Sequence, residues 1–230
     1  MNLSHPEQYF ADLLSAPEQD PQHQKLDLMT AAVEPAPVLL QNGRTLPLPQ
    51  NVWFVGTANH DETTKDFADK TYDRAHVMEL PRHRESFKPK KTRARAPVSL
   101  ATLQGAFAAA QNTYQQQAAA AYRFVDTQFA EILGRRFRVG WGNRLERQML
   151  NFVPVVIAAG GTMTEAVDHI LATKLLRKIR DRHDTRPEDL EALRLAVEEA
   201  WPRLGSQGEP VKSTSIVRAE LRRLGADEAA

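Results

Sequence analysis

Apolar positions follow two different rhythms along this 230-residue chain. Up to about residue 80 they come in short runs cut off by proline, glycine and charge. Examples are Val38-Leu39-Leu40, Val52-Trp53-Phe54-Val55 and the stretch Val77 to Leu80. Beyond Pro97 they recur at threes and fours, the spacing that keeps one stripe on one side of a helix. The run Val52–Val55, bounded by Pro47, Pro49 and Gly56, predicts a buried central strand, and Val77–Leu80 predicts a second. Within Val38–Leu46, Asn42-Gly43 predicts a hairpin, because both central residues of such a turn need positive φ. Residues 15–37, rich in Pro, Gln and acids, read as a loop with a short helical piece near Leu26–Val33.

Helix signals are denser. Ser4 with Glu7 forms a capping-box pair, Pro6 is tolerated in the first turn, and Tyr9, Phe10, Leu13 and Leu14 make an apolar stripe. After Pro97 the stripe is Leu103, Phe107, Ala110, Tyr114, Ala118, Ala121, Val125 and Ile132. It predicts one long helix, or two breaking near Gln115–Gln117, with Gly134 as the cap. Phe137–Gly142 makes a tight connection to a helix carrying Leu145, Met149, Phe152 and Val156, kinked at Pro154 and ended by Gly160-Gly161. Thr162 with Glu165 caps the next, which turns Val167, Ile170, Leu171, Leu175 and Ile179 inward. Thr185 with Glu188 caps another through Leu190, Leu193, Val197 and Trp201. Gly205–Ser215 reads as a loop, followed by a short helix through Val217, Leu221 and Leu224.

Composition narrows the class. A hydrophobic fraction of 42% is that of a soluble globular protein, and no apolar run approaches the roughly 20 residues that span a bilayer. The 30 Lys+Arg and 29 Asp+Glu nearly cancel, so only local charge can point to nucleic acid. There is no cysteine, which excludes disulfides and thiolate metal sites and fits a reducing cytoplasm. The first residues have neither a basic region nor an apolar core, so no signal peptide is expected.

Chemistry concentrates after the Val52–Val55 run. Gly56-Thr57-Ala58-Asn59-His60-Asp61-Glu62-Thr63-Thr64 delivers an amide and two carboxylates just past a predicted strand end, where α/β sheets place their ligands. Asn59 suits orientation of an attacking water beside a phosphate, and it also suits simple turn-shaping. His60, Asp61 and Glu62 are consecutive on a loop and do not converge as metal ligands, so no metal site is expected. Arg74 follows in Asp69-Lys70-Thr71-Tyr72-Asp73-Arg74. Its guanidinium matches phosphate oxygens, and it can equally pair with Asp69, Asp73 or Glu79.

The strings Val52–Thr64 and Asp69–Arg74 resemble the sensor 1 strand and arginine-finger region of AAA+ nucleotide-driven motors. The McrB-type restriction-motor branch is nearest and MoxR-type ATPases are next. The resemblance implies an α/β fold of partial kind: the last strands of a parallel sheet plus a hairpin over residues 1–81. A basic linker (82–97), an all-α helical lid (98–204) and a tail with a short helix (205–230) would follow. It implies that Asn59 is sensor 1 and that Arg74 is an arginine finger acting in trans. Arg144 or Arg147, in Asn143-Arg144-Leu145-Glu146-Arg147, would then be sensor 2. It further implies ATP or GTP with Mg²⁺ as cofactor, and a homo-oligomeric ring, a hexamer, or a complementary AAA+ chain as partner. The substrate would be a protein or nucleic acid.

No stretch matches G-x-x-x-x-G-K-[ST], the loop that grips phosphates. By resemblance Met1-Asn2-Leu3-Ser4 follows the Walker B strand, so the chain is expected to begin just after it and to be inactive alone. Two readings of other classes stay open: a catalytically dead module that joins rings, and a helical nucleic-acid-binding protein. The latter would use Lys90, Lys91, Arg93 and Arg95 of the linker with the cations Lys174–Arg182. Those cations also suit the end of a helix, where they complement its dipole.

Overall fold

A computed structural model describes residues 10–16, 19–20, 23–59, 67–80, 96–205 and 208–225. The chain divides into two compact units, Met1–Glu79 and Leu80–Ala230.

In the first unit, helix α1 (Ala11–Ser15) precedes strands β1 (Lys25–Asp27) and β2 (Thr45–Pro47), and helix α2 (Asp69–Arg74) follows them. The two strands pair antiparallel, Leu26 opposite Leu46. Asn42 and Gly43 both take positive φ, 52° and 61°, and Gln41 bridges Thr45 across them, so the turn chemistry is present. A side chain at Gly43 would lie 2.5 Å from the carbonyl oxygen of Val33, a close approach only glycine permits. The strand leaving that turn pairs with β1, however, and not with Val38–Leu40, which lies in no strand. Leu26, expected in a helical piece, is the buried residue of β1.

The expected α/β fold is therefore overturned. Among the described residues the sheet is this one antiparallel pair, and the chain is predominantly helical. Val52–Val55 lies in no strand, with Trp53 66% and Val55 90% exposed; Val77–Leu80 likewise lies in none, with Met78 and Leu80 exposed. Side-chain preference favours a strand but cannot supply the second backbone that a strand must bond to. The Ser4–Glu7 capping pair, His60–Glu62 and the 82–95 cations fall outside the described residues.

The second unit is a helical bundle. Helix α3 (Leu100–Phe137) starts on Ser99, whose hydroxyl accepts from the Thr102 amide at 3.1 Å. It is one helix kinked at Tyr114 (φ −112°, ψ 21°). Its buried stripe is Ala110, Ala118, Ala121, Val125, Phe129, Leu133 and Phe137. The fours after Ala121 run on through Phe129 and Leu133, so Ile132 is displaced to the edge of the core and Phe107 is exposed. Gly134 is not the cap: the helix continues to Phe137 and ends on left-handed Arg138, whose neighbour Val139 donates to the Leu133 carbonyl at 3.0 Å.

Helix α4 (Asn143–Ala158) runs through Pro154 and buries Leu145, Met149 and Val153; Phe152 and Val156 pack at the rim. Helix α5 (Met163–Ile170) opens on the Thr162–Glu165 capping box, both halves of which form. It widens into a π turn at Leu171–Leu175 and tightens to 3₁₀ geometry at Leu176–Ile179. Helix α6 (Pro187–Ala200) begins at its proline rather than on a Thr185–Glu188 box, because Pro187 supplies a preset φ at the first turn. Helix α7 (Val211–Arg223) starts inside the expected loop. Val167, Ile170, Leu171, Leu175, Leu176, Ile179, Leu190, Leu193, Val197 and Val217 join α3 and α4 in a continuous core. No helix among the described residues is long and apolar enough to cross a membrane.

Candidate functional site

Asn59 stands at the end of the uncovered Val52–Ala58 stretch and is exposed. Arg74 sits in the last turn of α2, half-buried, and its guanidinium donates to the Ser15 hydroxyl at 2.6 Å. That contact ties α2 to α1 within the first unit. The face beneath it is closed by buried Thr71 and by Tyr72, which meets Phe67 edge-on at 5.5 Å. Both residues thus belong to the same compact unit, Asn59 presented to solvent and Arg74 turned onto its own chain. The described residues include no cluster of His, Asp or Glu able to hold a metal ion.

Arg144 and Arg147 lie in the second unit, in the first turns of α4, and both are exposed. Two cations at this end oppose the helix dipole, whose positive pole is the amino terminus. Glu146 between them offsets part of that charge. With Asn143 and Asn151 they line a shallow surface depression. Nearby, the Tyr122 hydroxyl is held above its ordinary pKa by burial first, then by Asp126 and Glu146, with a Trp141 hydrogen bond opposing.

An open groove between α6 and α7 is walled by Leu195, Val211 and Leu221 and rimmed by charge. Arg194 is clamped there by Glu191, at 2.5 to 3.1 Å, and by Glu198, at 2.7 and 2.8 Å. The hydrogen bond to Arg194 lowers the Glu191 carboxyl, and Glu191 in turn raises the guanidinium. A carboxylate held as Glu191 is stays ionised and is a poor proton carrier at neutral pH. Among the described residues, no hydrogen bond pairs the Thr214 or Ser215 hydroxyl of its lining with a base.

One constellation went unread in the sequence. Asp168 is buried, and its carboxylate accepts from the Lys212 amide (2.9 Å), the Ser213 amide (2.9 Å) and the Ser213 hydroxyl (2.6 Å). It thereby satisfies the first amides of α7 from another helix, the work an N-cap does locally. Beside it His169 stacks on Phe152 at 5.4 Å and its Nδ1 meets the Lys212 ammonium at 3.2 Å. The available signal was an acid between Val167 and Ile170 in an inward stripe. Its partner 45 residues on has no periodic signature.

The expected site residues are thus distributed over both units: Asn59 and Arg74 in the first, Arg144 and Arg147 in the second. No protein-family model, curated protein or solved structure matches this chain.

Proposed function

We propose that this chain is a component of a nucleotide-driven assembly of the AAA+, McrB- or MoxR-like type, and that it does not turn over nucleotide alone. The observation that carries the reading is the pair Arg144 and Arg147, exposed at the amino-terminal end of α4. An anion bound there would relieve the repulsion of two guanidinium groups by the helix dipole. A nucleoside triphosphate held by protein outside these 230 residues would provide it, together with Mg²⁺. Asn59, exposed, would orient the attacking water. Arg74 would turn from the Ser15 hydroxyl to a phosphate oxygen, so that its guanidinium pairs with an ionised acceptor. The chain has no phosphate-gripping loop of its own, so its part is transition-state charge and reporting on nucleotide state, not the grip.

The test is co-purification of the tagged chain from its native cells, followed by ATP and GTP turnover assays. Expected are a P-loop-bearing partner and a complex whose turnover falls by about 10³-fold on Arg74→Ala, the lower end for arginine fingers. The purified chain should show no turnover. Recovery without any P-loop protein, or an unchanged rate in R74A, would remove the reading.

A further inference from the structure

The groove between α6 and α7 is bounded by two walls of opposite sign. On the α6 side stand Glu188, Glu191 and Glu198, with Arg194 clamped between the last two and cancelling one of their charges. On the α7 side stand Arg218 and Arg222, and no acid of that helix is among the described lining. Glu209 lies in the loop at one end, in neither wall. Between the two rows is an apolar strip in which Leu195 is 44% and Val211 65% exposed. The other faces of both helices are turned to the core, through Leu190, Leu193 and Val197 in α6 and through Ile216 and Val217 in α7. Glu198 meets Arg218 across the groove only at 4.0 Å, and both side chains are exposed.

We propose that this face is the contact between two copies of the chain, with α6 of each laid over α7 of the other. A closed dimer is two-fold symmetric, so the face has to match itself. The division of charge selects the axis. A two-fold running along the groove sets the acids of each α6 on the arginines of the other copy's α7, and does so twice. A two-fold across the groove would set α6 on α6 and α7 on α7, like charge on like. A single acidic or basic helix would suit one wall and be repelled by the other, whereas a second copy brings both signs already in place. The four helices then enclose Leu195 and Val211 of both copies, in the manner of a four-helix bundle. Helices of 14 and 13 residues, at roughly 1.5 Å per residue, span about 20 Å, and side by side they are about 20 Å wide. A face of about 20 by 20 Å lies at the low end of specific interfaces, so pairing is reversible, in the micromolar range. It requires no nucleotide and no P-loop protein, so it stands or falls separately from the assembly proposed above.

The experiment is light scattering on the full chain from low micromolar to hundreds of micromolar concentration, without nucleotide. Glu198→Lys and Arg218→Glu are measured singly and as an equal mixture, with Leu195→Glu as a third variant. All three side chains are exposed in the single chain, and circular dichroism checks that each variant keeps its helical signal. The unmodified mass should rise from one chain to two. Either charge reversal alone sets like charges face to face and should weaken association at least about tenfold, as should an unpaired carboxylate enclosed at position 195. The mixture should recover association, because the lysine of one variant then faces the glutamate of the other while the native pair forms on the second side. A mass of one chain throughout, which would leave the groove to a helix of another protein, overturns the pairing. So does a rise in mass that Leu195→Glu leaves unchanged, or a mixture that associates no better than its components.

Discussion

Asp168 shows how much one side chain can hold. Its carboxylate accepts three hydrogen bonds from the first turn of α7, and both it and Ser213 are buried. Removing it leaves the buried Ser213 amide and the Lys212 amide without their acceptor, and the Ser213 hydroxyl with only the Asp168 carbonyl at 3.5 Å. Hydrogen bonds to a charged group are worth about 1.5–3 kcal/mol, and an orphaned buried donor costs about 1–3 kcal/mol. Asp168→Ala should therefore destabilise the bundle by about 3 kcal/mol in urea unfolding, more than truncation of an exposed carboxylate such as Glu131. The periodic pattern hid this residue, because a stripe records which positions face inward and not what an inward acid binds. Arg74 was singled out in the sequence as a guanidinium able to meet phosphate or a nearby carboxylate, but its contact with Ser15 depends on how α1 and α2 fold against each other.

At the scale of elements, the helices could be read and the strands could not. The Thr162–Glu165 box, the inward set of α5 and the stripe of α6 all rest on contacts within a few residues, which the sequence carries locally. Val52–Val55 and Val77–Leu80 were read from composition, whereas pairing depends on a distant backbone that this chain does not bring to them. Helix α3 carries an unforced cost of its own. Gly105 lies within it, and an added β-carbon there would meet nothing within 4 Å. Glycine costs about 1 kcal/mol relative to alanine inside a helix. Gly105→Ala should therefore stabilise the second unit by about that amount, read as a higher urea midpoint with an unchanged slope. A loss of stability would mean that this position is pressed against something the chain itself does not provide.

At the scale of the whole molecule the two units differ in how much they bury. The described core of the first is Ala16, Leu26 and Tyr72, with Thr71. The second holds the continuous cluster from Ala118 to Leu221. Stability follows apolar area removed from water, so the main thermal transition belongs to the bundle. A polypeptide of residues 96–225 should melt within a few degrees of the full chain and retain its helical signal. A large drop in its melting temperature would show that the bundle depends on the first unit.

The reach from Asp168 to Ser213 also imposes an order on synthesis. The acid leaves the ribosome long before the helix whose amides it receives, so until α7 arrives it waits beside apolar groups, with the bed for Val217 and Leu221 still open. A premature stop codon after Leu204 would freeze the chain at that stage, with nearly all its core residues translated. Quality-control proteases would find such a product before any assay of its function could.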